Sequence, residues 1–190
     1  PQIIAENVTG KKALDFGCGT GRSTRFLKNL GLNAIGVDIS SDMLARARTL
    51  DPNGDYRQNI DGDLSIFGDE KFDLVLSAFT FDNIPTAEKK LKNFMEIINH
   101  LSSDGKMINL VSAPEIYTNE WASFTTRDFP ENRNAKSGDK VKIIMTDVDD
   151  RRPVEDILWT DQSYRQIYDT AGLKLLATFK PLARDNEPYD

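Results

Sequence analysis

Leu14-Asp15-Phe16-Gly17-Cys18-Gly19-Thr20-Gly21 carries a short apolar run into a turn with glycine at three alternate positions. Lys12 to Phe16 reads as a strand, and Ser23 to Asn29, with Phe26, Leu27 and Leu30 at helical spacing, reads as the helix that follows. The glycines permit a tight bend and a close approach of backbone to ligand, with no Cβ in the way. The start of the helix adds unpaired N–H groups and the positive end of its dipole. Nicotinamide and flavin dinucleotide sites use the same physics, so the turn alone leaves its ligand open.

Working outward, Gly31 stops the helix, and Ala34-Ile35-Gly36-Val37 is a short apolar strand closed by Asp38. Ser40-Ser41-Asp42 supplies N-cap chemistry for a helix from Met43 to about Leu50, after which Asp51-Pro52-Asn53-Gly54 turns the chain. Tyr56 to Ile60 is a third strand without an apolar run, and Phe72-Asp73-Leu74-Val75-Leu76-Ser77 is a fourth with one. A helix is predicted from Thr86 to Leu101, with Leu91, Phe94, Met95, Ile97 and Ile98 as its stripe. Ser102-Ser103-Asp104-Gly105 ends it, and Lys106 to Ser112 is the fifth strand. Val141 to Met145 is a further strand, Asp161 to Thr170 a helix stopped by Ala171-Gly172, and Leu173 to Phe179 the last strand. This alternation predicts βαβ units and a parallel sheet. Ligands of such sheets bind beyond the carboxyl ends of the strands, where the strand order reverses. The loops after Phe16, Val37, Ile60, Ser77 and Ser112 are therefore expected to converge on one cleft. From Pro114 to Asp139 the pattern dissolves into aromatic, charged and Gly/Pro-containing sequence, the kind of excursion that covers a substrate.

Composition narrows the partners. A length of 190 residues predicts one domain over 1–190, with 114–139 as its insertion. With 30 acidic against 24 basic residues the formal charge is -6, which disfavours nucleic acid and anionic lipid surfaces as partners. No apolar run approaches the roughly 20 residues needed to cross a bilayer, and residues 1–10 carry no signal-peptide pattern. The only cysteine, Cys18, has no intramolecular disulfide partner, so a cytoplasmic location is expected.

Three details separate possible ligands of the turn. Arg22 stands where the dinucleotide fingerprint Gly-x-Gly-x-x-Gly needs its third glycine. Asp15, two residues before Gly17, would repel a pyrophosphate but suits a cationic ammonium group. Asp38, 17 residues beyond Gly21, is placed to accept hydrogen bonds from two ribose hydroxyls.

With these residues the stretch resembles the first motif of the class I S-adenosylmethionine-dependent methyltransferases. The similarity extends through Gly36-Val37-Asp38-Ile39-Ser40 with Met43, through Asp61, and through Phe72 to Ser77, covering residues 11 to about 113. Ala171-Gly172-Leu173 resembles the family's late helix-to-strand junction. The resemblance implies a Rossmann-like three-layer α/β sandwich, with a mostly parallel seven-stranded sheet, a reversed C-terminal hairpin and S-adenosyl-L-methionine as cofactor. It also implies a cofactor turn made of Asp15, Gly17, Cys18, Gly19 and Gly21, with Asp15 and Gly17 near the methionine end and Asp38 on the ribose. Asp61 with the Gly62 N–H would take the adenine edge, with Asp63 the competing acid because the loop aligns in two ways. Ile39 and Met43 would pack on the adenine ring, and Ala78 and Phe79 would line the methionine end.

Methyl transfer from a sulfonium is an in-line displacement, so the protein mainly positions donor and acceptor and adds a base only when the acceptor must lose a proton. Asp82, in Phe81-Asp82-Asn83-Ile84-Pro85, is the candidate base by position, and equally a loop residue ahead of Thr86. Tyr117, Trp121 and Trp159 are candidates for the acceptor site, with packing against the sheet as their competing role. The single histidine, His100, reads as a C-terminal helix cap or a satisfied core residue, and no metal-ligating set is expected. The function expected is methylation of an oxygen or nitrogen on a small-molecule acceptor. A non-catalytic cofactor-binding module is the alternative, and an NAD(P)-dependent oxidoreductase a weaker one, opposed by Asp15 and Arg22.

Overall fold

Residues 1–181 are described in a computed structural model of the chain, which divides into two compact units, Pro1–Val111 and a second from Ser112 onward. In the first unit the apolar runs form β1 (Lys12–Phe16), β2 (Asn33–Asp38), β3 (Asp55–Gln58), β4 (Phe72–Ala78) and β5 (Leu101–Leu110). All four neighbouring pairs are parallel, in the order β3-β2-β1-β4-β5. The chain steps outward from β1 to β3 and then crosses to the other side for β4, so the order reverses between β1 and β4.

Alternation along β1 decides the layers. Ala13 shares a buried cluster with Ile4 of α1 (Gln2–Asn7), Leu27 of α2 (Arg22–Asn29), Ala34, Leu74 and Leu76. Gly36 lies on the same face as Ala34, and a Cβ there would meet Thr24, Cys18 and Tyr56 at 2.7–2.9 Å. α3 (Ser41–Leu50) joins this face by packing Leu44 and Ala47 against Cys18 and Tyr56. Phe16 points to the other face, where it stacks on Phe81 at 5.9 Å. Phe81 in turn lies parallel to Phe94 of α4 (Ala87–Asn99), with centroids 4.1 Å apart. Helices on both faces of a parallel sheet make three layers.

Local chemistry sets the helix ends. The Ser40 and Thr86 side chains accept from Met43 N and Lys89 N at the starts of α3 and α4, and Gly31 follows α2 with φ +84°. The buried side of α4 runs through Lys90, Asn93, Phe94 and Ile97, while Met95 is half exposed. Ser102–Gly105 does not end a helix: these residues lie inside β5, where the register jumps from Phe72↔Leu101 to Leu74↔Lys106. The turn-forming residues are spent on an irregularity within the strand.

The expectation of one seven-stranded sheet is corrected. The parallel sheet has five strands, and the second unit builds a separate antiparallel sheet of β6 (Phe124–Thr125), β7 (Lys140–Met145) and β8 (Val154–Ile157). Leu173 to Phe179 forms no strand, so the reversed hairpin is absent from the described residues. Strand-like composition describes a surface that fits a sheet, and without a neighbouring ladder it makes none. The second unit has its own core of Tyr117, Val141, Ile143 and Leu158. Buried Asn132 ties it together, donating to Tyr117 O and Lys142 O and accepting from Lys142 N. α5 (Asp161–Ala171) starts at Thr160, whose hydroxyl accepts from Ser163 N, and ends at Gly172 with φ +86°.

Asp15 lies on the same face as Ala13 and is fully buried. Its carboxylate accepts from Ser23 Oγ at 2.7 Å and Thr24 Oγ1 at 2.6 Å, both in the first turn of α2. Burial lifts its pKa from 3.8 to about 6, against the two hydroxyls that lower it and with the Asp38 charge adding to the rise. An acid raised in the folded state holds its proton where the unfolded chain has lost it, so stability falls as pH climbs from 3.8 to about 6. Asp15→Asn, which cannot ionise, is expected to gain on the wild type across that window by on the order of 2 kcal/mol. Urea unfolding at a series of pH values measures this, and a difference that stays constant across the window contradicts the shift.

Candidate functional site

The glycine turn is built by its neighbours. Gly17 N and Cys18 N both donate to Val37 O, at 2.8 and 2.9 Å, and Gly19 N donates to Asp38 Oδ2 at 2.8 Å. Gly17, Gly19 and Gly21 have φ of +74°, +52° and +79°. A Cβ on Gly17 would strike Thr80, whose hydroxyl donates to Phe16 O, and one on Gly21 would strike Tyr56. A Cβ on Gly19 would meet open space, so at that position only the backbone conformation demands glycine.

A cleft of about 450 Å³ opens at the carboxyl ends of the strands, within the first unit and where the strand order reverses. β1 contributes Phe16 with Gly17 just beyond its end, β2 contributes Asp38 with Ile39 just beyond its end, and Asn59 follows β3. Asp61 and Gly62 form one side, and Ala78, Phe79 and Thr80 continue from the end of β4. Asn83, Ile84 and Pro85 lead to α4, which adds Lys89 and Asn93. This volume is in the range of small-molecule sites, roughly 300–1,000 Å³.

Asp38 is the best-prepared polar group here. Gly19 N reaches one of its oxygens and Ser40 N the other, at 2.9 Å. Two backbone donors fix the carboxylate while a lone pair on each oxygen stays available. Asn59 is buried, and its Oδ1 has no hydrogen-bond partner among the described residues. A buried acceptor left unmatched beside a cleft becomes available to a ligand donor once its side chain turns toward the opening. Asp61 and Gly62 both have positive φ, +48° and +79°, and a Cβ on Gly62 would strike Asn93. Asp61 faces Lys92 at 3.3 Å and Lys89 at 3.9 Å, exposed pairs of small energetic weight. Asp63 instead turns away to accept from Ser65 N at 2.7 Å, a bond that lowers its pKa. Phe79 is a half-exposed aromatic in the left-handed region, φ +61°. A fixed carboxylate at the β2 end, an unmatched amide acceptor at the β3 end and apolar Ile39 in the same lining are a set of acceptors and apolar surface that fits a nucleoside.

Seven of the residues expected from the sequence thus meet in one cleft: Gly17, Asp38, Ile39, Asp61, Gly62, Ala78 and Phe79. Others stand outside its lining, Gly19 and Gly21 of the turn among them. Asp15 lies behind the turn against α2. Cys18 is buried with Leu44, Ala47 and Tyr56, and burial pushes its thiol up to about 12, which removes it as a nucleophile. Met43 is half exposed in the first turn of α3. Asp82 is buried in the 3-10 turn Phe81–Asn83. In the second unit, Tyr117 is core and donates its hydroxyl to Asp156. Trp121 donates Nε1 to Ile116 O, and Trp159 is buried beside Tyr164. His100 follows α4, with Nδ1 3.0 Å from Glu70 O. Sequence reasoning missed Asn59, Thr80, Lys89 and Asn93. The last two sit four residues apart on α4, a polar pair that reads as a solvated face until the helix is seen to border a cleft.

The family model of the methyltransferase domain matches residues 14–109, just over half of the chain. An uncharacterized methyltransferase of Synechocystis sp. is 31% identical over 113 residues, 58% of this chain and 52% of the relative, so the chain spans about half of that protein's length. The demethylmenaquinone methyltransferase of Renibacterium salmoninarum is 25% identical over 174 residues, 84% of this chain and 71% of the relative. The crystal structure of the glycopeptide N-methyltransferase MtfA, complexed with S-adenosylmethionine, superposes with a TM-score of 0.68 at 14% identity, covering 93% of this chain and 76% of that one. The family match runs from β1 into β5 and takes in the glycine turn, Asp38 and the cleft-lining ends of the strands; this chain belongs to the methyltransferase-domain family and has the class I fold.

Proposed function

We propose that this chain binds S-adenosyl-L-methionine in the cleft and transfers its methyl group to an oxygen or nitrogen of a small molecule. The observation that carries the reading is Asp38, whose two oxygens are held by Gly19 N and Ser40 N and still have capacity for a ribose diol. Asn59 Oδ1, Asp61 and the Gly62 N–H are the groups for the adenine edge, with Ile39 against the ring. Gly17, Ala78 and Phe79 border the methionine end.

When bound, S-adenosyl-L-methionine supplies a methyl group made electrophilic by its sulfonium. The protein's part is to hold the acceptor in line and exclude water. The reading needs no base from Asp82, which is buried and is not itself part of the cleft lining. A small-molecule acceptor is supported by the overall charge of -6 and by the name of one relative, a demethylmenaquinone methyltransferase. Residues 114–139 belong to acceptor recognition in this reading, on the strength of their length and aromatic, charged composition. A single buried cysteine fits a reducing, cytoplasmic setting.

Calorimetry with S-adenosylhomocysteine tests the cofactor assignment, and transfer of labelled methyl to a panel of small hydroxyl and amine acceptors tests the reaction. Asp38→Ala is expected to weaken S-adenosylhomocysteine binding by about 1–3 kcal/mol, the range for removing one partner of a buried polar contact. Equal affinity in the variant would remove Asp38 from the ribose. Gly19→Val, whose side chain meets no protein atom but whose backbone resists the φ of +52°, is expected to keep its overall circular dichroism spectrum while the turn that holds Asp38 shifts and binding is lost. A Gly19→Val protein that binds like the wild type would make the turn a purely structural feature.

A further inference from the structure

Lys90 is fully buried on α4, an unusual place for an ammonium group. Its Nζ donates to Phe81 O and lies 5.9 Å from the centre of the Phe81 ring. The neighbouring Asp82 carboxylate, itself buried, is the charge that favours the ammonium form. The Phe81 ring is also stacked on both Phe94 and Phe16. The short turn Phe81–Asn83 is therefore held at a ring, at a carbonyl and by a charge. Cleft-lining residues flank it on both sides, Phe79 and Thr80 before and Ile84 and Pro85 after.

We propose that Lys90 is a positioning residue for the cleft: bound to Phe81 O and within the electrostatic reach of Asp82, it pins the Phe81–Asn83 turn to α4 and so sets the shape of the wall that faces the cofactor and acceptor. This inference rests on the reading of the cleft as an S-adenosylmethionine site.

Two observations point beyond a merely structural role. Burial pulls the Lys90 pKa down to about 8 against the pull of Asp82, so the fold bears a desolvation cost that an apolar side chain would avoid. Buried ion pairs replaced by well-packed apolar groups often leave stability unchanged or raised, so stability does not explain the lysine. Phe79, two residues before the pinned turn, keeps a positive φ, and such strain persists only where the surroundings over-determine it. Its N–H donates to Leu110 O, and its carbonyl accepts from Asn83 Nδ2 at 3.1 Å, so the strained residue is closed onto the turn that Lys90 holds.

The test compares the wild type with the double variant Lys90→Met/Asp82→Asn, which leaves no lone buried charge, and with Asp82→Asn alone as the second variant should the double one fail to fold. S-adenosylhomocysteine affinity, thermal unfolding, and hydrogen exchange at the Asn83 and Ile84 amides in the ligand-free protein are the readouts. The double variant is expected to unfold no earlier than the wild type, to bind about tenfold more weakly, and to exchange faster at those two amides with β1 and β2 unchanged. Asp82→Asn is expected to move affinity and exchange in the same direction. Folded variants with wild-type affinity, or with unchanged exchange at Asn83 and Ile84, overturn the proposal while leaving the cofactor reading intact. A wild type that does not bind S-adenosylhomocysteine overturns the cofactor reading, and this inference with it.

Discussion

The end of β2 is where the architecture is tied together. Val37 O accepts two consecutive N–H groups of the glycine turn, and the Asp38 carboxylate accepts the next. These bonds are possible only because β1 and β2 are parallel and in register, with Phe16 opposite Val37. They require a backbone that passes through positive φ three times in five residues, and the chain enters α2 directly from the last of these glycines. One step back, Gly36 lets Thr24 of α2, Cys18 of the turn and Tyr56 of β3 close over the same strand. The ligand end of β2 is thus braced by packing on one side and by hydrogen bonds on the other. Asp38 is aimed by the backbone before any ligand arrives, the kind of preorganisation that lowers the cost of binding.

That dependence explains which parts of the molecule could be read from residues alone. Strands of a parallel sheet are covered on both faces, so Leu14, Val37 and Leu74-Val75-Leu76 stand out as apolar runs, and glycines and caps mark where the helices between them start or stop. β8 is Val-Glu-Asp-Ile, half exposed and paired on one side, with no run to see. Ser102–Gly105 carries strong turn chemistry and nevertheless lies within β5, because the pairing of Phe72 with Leu101 captures the residues before it. Leu173 to Phe179 has the alternation of a strand and pairs with no strand among the described residues. In each case the deciding fact is a neighbour distant in sequence.

The candidate site divides along the same line. Gly17, Asp38 and Ile39 were visible because a local turn and strand end carry them, and these residues do line the cleft. Asn59, Lys89 and Asn93 were not, because what makes them cleft residues is the approach of α4 to the loop at Asp61 and Gly62. Asp82 was singled out by position in the chain, and the fold buries that position beside Lys90. A residue next to a site in sequence is not thereby next to it in space.

In the proposed reading Asp15 bears on the choice of ligand from behind the turn, where it is buried against α2. Its carboxylate occupies the first turn of α2 and takes the hydroxyls of Ser23 and Thr24, at the helix end that carries positive charge. A phosphate-binding turn depends on that end being free to meet an anion. Here it is already engaged by an acid, one whose own burial raises its pKa to about 6 and makes further negative charge nearby unfavourable. The turn is consequently poorly suited to a pyrophosphate, even though its glycines have the bends that a dinucleotide site uses. In the proposed reading the contact to the nucleoside falls to Asp38, at the strand end, while Asp15 stands behind the turn and disfavours an anion there.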